Sequence, residues 1–271
     1  MSLPPPAPDR TCLITGASSG IGADLARQLA RKGYGVTLVA RREDRLRALA
    51  DELTEAYGIR AEVIACDLSD EAARDGLAAA IAARRLTVDV LVNNAGFSTM
   101  SPVHRSDPAR EVAMIRTDVE AVAHLCSTFV PGMVERGRGA VLNVASVAAF
   151  QPLPGQAGYG ACKAFVLSYS HALAEEVRRK GVSVTALCPG PVETGFAEAA
   201  GLDEAQAADA LPKFMWVTSG DVASQAITGM EKGRQVVIPG APNWLGAGVG
   251  HLTPRRLLLP LLASRHPSLK D

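Results

Sequence analysis

The sequence predicts an α/β fold: a doubly wound parallel sheet of the Rossmann type, covered by helices on both faces. Three observations carry that expectation. Short runs rich in Val, Ile and Leu alternate with longer stretches whose apolar residues recur at intervals of three and four. The short runs are continuously apolar, as strands buried on both faces require. The residues closing each run are small, polar, charged or glycine, at the sheet edge where such folds collect their ligands.

The expected strands are Thr11–Thr15, Val36–Ala40, Ala61–Cys66, Val88–Val92, Ala140–Ala145, Val182–Cys188 and Gln235–Ile238. The expected helices are Gly20–Lys32, Glu43–Tyr57, Asp70–Arg84, Pro108–Arg136 and Gln156–Lys180. Leu25 and Leu29, then Leu46, Leu49 and Leu53, mark the buried stripe of the first two helices. Residues 1–10 read as a loose, disordered tail, because they are Pro-rich and lack both the basic and the apolar region of a signal peptide. Residues 11–238 read as one domain with a helical insertion at about 195–219. Residues 239–271 form an apolar C-terminal segment broken by Pro254 and Pro260. It suits a lid or a subunit interface better than a membrane surface, since no sustained amphipathic basic helix is visible in it.

Composition narrows the function. Of the 271 residues, 48% are hydrophobic and only 4% aromatic, so the core is built from Ala, Val, Leu and Ile. A chain of this length needs no metal or disulfide staple. Lys+Arg and Asp+Glu are 28 each, and that balance argues against a nucleic-acid partner. No apolar run reaches the length of a transmembrane segment, and a cytoplasmic protein is expected. The five cysteines are scattered without a Cys-x-x-Cys pair, and the five histidines are isolated, so no metal site is expected.

The turn Thr15-Gly16-Ala17-Ser18-Ser19-Gly20-Ile21-Gly22 joins the first strand to the first helix. Gly16 permits the tight turn, Gly20 and Gly22 allow close backbone approach, and the helix N-terminus offers unpaired N–H groups to a pyrophosphate. The end of the second strand reports on the ribose. An acidic residue there would favour NAD, but the sequence reads Ala40-Arg41-Arg42. Two arginines before a helix oppose its dipole unless a 2′-phosphate engages them, so NADP is favoured over NAD. The competing reading pairs them with Glu43 and Asp44.

Tyr159 and Lys163 lie four residues apart in a helical stretch and so share a face. Gly155, Gly158 and Gly160 crowd that helix start, and Ser146 ends the fifth strand. Together with Thr15-Gly-x-x-x-Gly-Ile-Gly22, Asn93-Asn-Ala-Gly96 and Pro189-Gly190-x-x-x-Thr194, these residues make the chain resemble the short-chain dehydrogenase/reductase family from Thr11 to about Ile238.

The resemblance implies hydride transfer between a nicotinamide and a carbonyl or alcohol. Tyr159 would be the acid/base, Lys163 would bind the nicotinamide ribose, and Ser146 would orient the substrate oxygen. Gly16, Ser18, Ser19, Gly20, Ile21 and Gly22 would hold the pyrophosphate, with Arg41 and Arg42 at the ribose. Asp67 and Leu68 would meet adenine, and Asn94, Ala95 and Gly96 would support the cofactor. Pro189, Gly190, Val192 and Thr194 would frame its carboxamide and phosphate. A phenol ionises near pH 10, and lowering that by about 3 units needs about 4 kcal/mol, comparable with one ammonium about 4 Å away at an effective dielectric of about 20. Lys163 is therefore expected to supply most of the tuning.

One position departs from the family. Where members usually carry Asn in the long helix before the fifth strand, this chain has Asp118. An ionised Asp accepts hydrogen bonds but does not donate them. Its presence implies either a working proton relay with altered pH dependence or impaired catalysis.

Phe97–Met100, Phe150–Leu153 and the insertion, with Phe196, Phe214, Met215 and Trp216, are expected to line a pocket for a small hydrophobic ketone, aldehyde or alcohol, or else to pack the lid. The leading expectation is an NADPH-dependent carbonyl reductase. A 3-oxoacyl-thioester reductase and an NADP-binding sensor with impaired catalysis are the alternatives. The family resemblance further implies a homodimer or homotetramer.

Overall fold

The structure is a computed structural model that describes residues 3–193 and 213–269. Seven parallel strands form the central sheet in the order β3-β2-β1-β4-β5-β6-β9. They are β1 (Arg10–Thr15), β2 (Val36–Ala40), β3 (Ala61–Ala65), β4 (Thr87–Asn93), β5 (Gly139–Val144), β6 (Val182–Leu187) and β9 (Val236–Val237). The order reverses between β1 and β4, and that crevice receives the ends of both strands.

Successive strand residues point to opposite faces, and the two cores divide accordingly. Ile14, Leu38, Val90 and Leu142 pack with α1 (Gly20–Arg31), α2 (Glu43–Tyr57) and α7 (Ser219–Glu231) through Leu25, Leu46, Leu53 and Ile227. Leu13, Val39, Leu91 and Val141 pack on the other face against α3 (Glu71–Ala83), α5 (Ala121–Glu135) and α6 (Ala157–Val177) through Leu77, Leu125 and Val166. The doubly wound parallel sheet of the sequence reading is thus the observed fold. All five cysteines are buried free thiols.

One expectation is corrected, one is refined and one falls largely outside the described residues. The N-terminal segment is seated from Leu3 onward. Leu3 is buried in the first core, the Tyr34 hydroxyl donates to the Pro4 carbonyl at 2.8 Å, and Arg10 already belongs to β1. Prolines that stiffen a chain also lower the entropy lost when it docks, and composition alone hides that gain. The helix expected at Pro108–Arg136 is present but widened in its middle. α4 (Pro108–Ile115) and α5 are separated by a π-helical turn at Arg116–Glu120. Such turns insert an extra residue and re-aim side chains, and here the one re-aimed is Asp118.

The expected insertion at about 195–219 is described only from Lys213 onward. Residues 194–212 lie outside the described part, so Thr194, Phe196 and the helical lid are not placed. From Lys213 the chain makes a 3₁₀ turn at Lys213–Met215 and the short strand β8 (Val217–Thr218), which pairs with β7 (Val192–Glu193). Beyond β9 come α8 (Ala241–Leu252) and α9 (Arg255–Arg265).

Candidate active site

The first turn is held by the end of β4. Thr15 Oγ1 donates to the Val92 carbonyl at 3.2 Å and accepts from the backbone N–H groups of Asn94 (2.9 Å) and Ala95 (3.0 Å). Asn94 Nδ2 returns a bond to the Thr15 carbonyl at 2.9 Å. Asn94, Ala95 and Gly96 therefore brace the turn from behind. Gly16 has φ +65°, and a Cβ built on Gly22 would stand 2.5 Å from the Gly16 carbonyl oxygen. Gly22→Ala is expected to cost about 1–3 kcal/mol by overpacking, measured as a lowered thermal midpoint.

The start of α1 fits a phosphate. Ser19 occupies the N-cap position in extended backbone without capping the helix through its side chain. Its hydroxyl accepts from Arg42 Nη2 at 2.8 Å instead, and Ser18 Oγ accepts from the same nitrogen at 2.9 Å. The opening N–H groups near Gly20, Ile21 and Gly22 are thus left for an anion. Arg42 does not pair with Glu43 or Asp44; Glu43 pairs with Arg47. Burial, then neighbouring Arg45 and Arg41, hold the Arg42 guanidinium below its ordinary value. Cations crowded this way are stabilised by an added phosphate. Removing either Arg41 or Arg42 (to Ala) should weaken NADPH about tenfold or more and NADH much less, in fluorescence titrations of the two cofactors.

Farther along the rim, Asp67 Oδ1 accepts from Ser69 N (2.9 Å) and Ser69 Oγ (2.7 Å), closing a turn after β3. The Leu68 side chain is buried in the second core, so its backbone, not its side chain, is what it can present to a base.

The second half of the site gathers at the end of β5. Ser146 starts the 3₁₀ turn Val147–Phe150; its Oγ accepts from Ala148 N at 3.1 Å and donates to the Pro189 carbonyl at 3.4 Å. It is also hydrogen-bonded to the Tyr159 phenol. One turn further along α6, Lys163 Nζ lies 5.6 Å from the centroid of the Tyr159 ring and donates to the Val144 carbonyl at 3.1 Å.

The same ammonium forms an ion pair at 2.9 Å with Asp118 Oδ2, while Asp118 Oδ1 accepts from Phe97 N at 3.0 Å. Asp118 is 0% exposed and Lys163 5%. Burial pulls the lysine down, but Asp118, together with Tyr159 and Cys162, holds it above its ordinary value.

This geometry corrects the expected tuning of the phenol. Burial pushes Tyr159 above 10, more than Lys163 pulls it down, and the Asp118 carboxylate pushes it up as well. A neutral phenol is favoured, chiefly because the site is buried and secondarily because Asp118 answers part of the lysine's positive field.

On the C-terminal side, Pro189 O accepts from Val147 N at 2.9 Å. Gly190 lies against Asn243, whose Nδ2 donates to the carbonyls of Met215 and Pro239, both at 3.0 Å. Val192 sits half-buried in β7. A seam missed by the sequence reading runs from Ser98 Oγ to Gln156 Nε2 (2.7 Å), then from Gln156 Oε1 to His266 (3.2 Å) and on to Ser268 (2.8 Å). It closes the C-terminus onto the residue before α6. No local motif marks these side chains; only the return of the chain brings them together.

A wound sheet with a phosphate-ready first turn and a Ser-Tyr-Lys cluster across the same rim defines a dinucleotide-dependent oxidoreductase. The chain belongs to the short-chain dehydrogenase/reductase family, whose profile, described as short chain dehydrogenase, matches residues 10–205. It is 32% identical to a short-chain dehydrogenase from Sphingobium yanoikuyae solved with NADPH (TM-score 0.77, covering 93% of this chain and 95% of that one). A structure described for 7β-hydroxysteroid dehydrogenase stereoselectivity matches with TM-score 0.83 at 25% identity, over 93% and 96% of the two chains. The very-long-chain 3-oxoacyl-CoA reductase of Bos taurus is 35% identical over 190 residues, 69% of this chain and 60% of that protein. Among the described residues no helix is long and apolar enough to cross a membrane.

Proposed function

We propose that the protein is an NADPH-dependent carbonyl reductase acting on a hydrophobic ketone or aldehyde, or on the matching alcohol in reverse. The observation carrying this reading is the buried Lys163 ammonium set between Asp118, the Val144 carbonyl and the Tyr159 ring, beside Ser146. The uncapped start of α1 and the Arg41–Arg42 cations support NADP, as does the relative solved with NADPH. When bound, the nicotinamide supplies or accepts the hydride. The protein's own work is proton transfer and charge stabilisation. Tyr159, kept neutral by burial, holds the proton that a reduced carbonyl oxygen takes up. Ser146 donates to the same oxygen as negative charge develops on it. Lys163 orients the cofactor ribose and limits the cost of the phenolate left behind.

The test is a panel of ketones and aldehydes followed by NADPH absorbance, with NADH in parallel. Binding of NADPH without turnover on any member overturns the reductase reading in favour of a sensor. The bovine relative favours a second reading, reduction of a 3-oxoacyl thioester, and such a substrate belongs in the panel. Self-association is supported by the outward faces of α4 and α6, where Val112, Ile115 and Phe165 are exposed and Phe165 stacks on Tyr169 at 5.6 Å. Light scattering on the purified protein should therefore give a dimer or tetramer mass.

A further inference from the structure

We infer that the C-terminal helices α8 and α9 form a docking face for an anionic lipid surface. α8 carries no charged residue, from Ala241 to Leu252. Its inner face is buried through Asn243, Ala247 and Gly250. Trp244 (66% exposed), Leu245, Val249 and Leu252 (81% exposed) fall on the opposite arc. On α9, Leu257 and Leu261, one turn apart, extend the exposed apolar surface. A helix that is apolar all round and packed on one side only leaves a face that water does not favour.

Charge decides the occupant. The whole chain is balanced, yet from Lys232 to Lys270 it has six Lys and Arg and no Asp or Glu. Arg255 and Arg256 are exposed at the head of α9, and Arg234 shares a cleft with Trp244. A second copy presenting the same face would set these cations against themselves. An anionic bilayer answers them and takes up the apolar side chains between. Pro254 separates α8 from α9 and neither helix is long enough to cross a bilayer, so both would lie on its surface.

The experiment is co-sedimentation of the full chain with phosphatidylglycerol/phosphatidylcholine vesicles and with pure phosphatidylcholine vesicles, at low and high salt. Binding to the anionic vesicles is expected, weakened by salt. W244S/L252S should reduce partitioning about tenfold or more, and R255E/R256E about fivefold per arginine or more. Neither variant touches Ser146, Tyr159 or Lys163, and an unchanged far-UV circular dichroism spectrum and thermal midpoint serve as the folding control. Absence of binding to the anionic vesicles overturns the proposal. So does a W244S/L252S variant whose mass by light scattering falls, because the face would then be a subunit interface. Because the readout is partitioning, failure here leaves the reductase reading untouched, and failure of turnover leaves this one untouched.

Discussion

Tyr159→Phe is expected to lower kcat by about 10²–10⁴-fold while NADPH binding by fluorescence titration stays within about twofold of the parent. The phenol is the proton-bearing group beside Ser146, and the variant removes only its oxygen. Lys163 keeps its ion pair with Asp118 and its bond to the Val144 carbonyl, so the ammonium proposed to hold the ribose stays in place. A matching loss of cofactor affinity would mean that the hydroxyl is structural, and turnover within tenfold of the parent would remove Tyr159 from the chemistry.

Asp118 should give the largest effect on stability. Asp118→Ala strands the Lys163 ammonium in a buried site and leaves Phe97 N–H without its acceptor. Breaking one side of a buried ion pair costs about 3–5 kcal/mol, which for a chain of this size lowers the thermal midpoint by on the order of 10 °C. Asp118→Asn keeps an acceptor for Phe97 and should recover part of that loss.

The Asn variant should also move the pH profile. In the parent, the Asp118 carboxylate pushes the phenol's pKa upward. Removing that negative charge favours the phenolate and lowers the pKa. Reduction needs the protonated phenol, so its alkaline fall-off should begin at a lower pH. Oxidation needs the phenolate, so its acid limb should shift the same way. Profiles measured in both directions check the sign, and an unchanged pair would show that Asp118 holds the lysine without tuning the tyrosine.

Much of this was legible along the chain. Continuous apolar strands were visible because a sheet covered on both faces demands them, and the turns after β1, β4 and β5 lie at one rim of that sheet. Ser146, Tyr159 and Lys163 were readable because a strand end and one helical turn are local spacings. The π turn was not, since Pro108–Arg136 keeps a plausible helical period on either side and nothing in the local pattern marks the widening at Asp118. The seating of Leu3 was hidden for a different reason: it depends on a surface formed by residues far away. Arg42 was noticed for its charge, but its grip on Ser18 and Ser19 needed the distance between two loops.

The short pairing of β7 with β8 also bears on how such a protein changes over generations. It joins the two ends of the stretch between Glu193 and Val217 at about one strand spacing, near 4.8 Å. A loop clamped at its neck can grow, shrink or be exchanged at little entropic cost, and the sheet's register is set elsewhere. Changes of length or sequence within that stretch therefore leave the sheet and the cluster of Ser146, Tyr159 and Lys163 as they are.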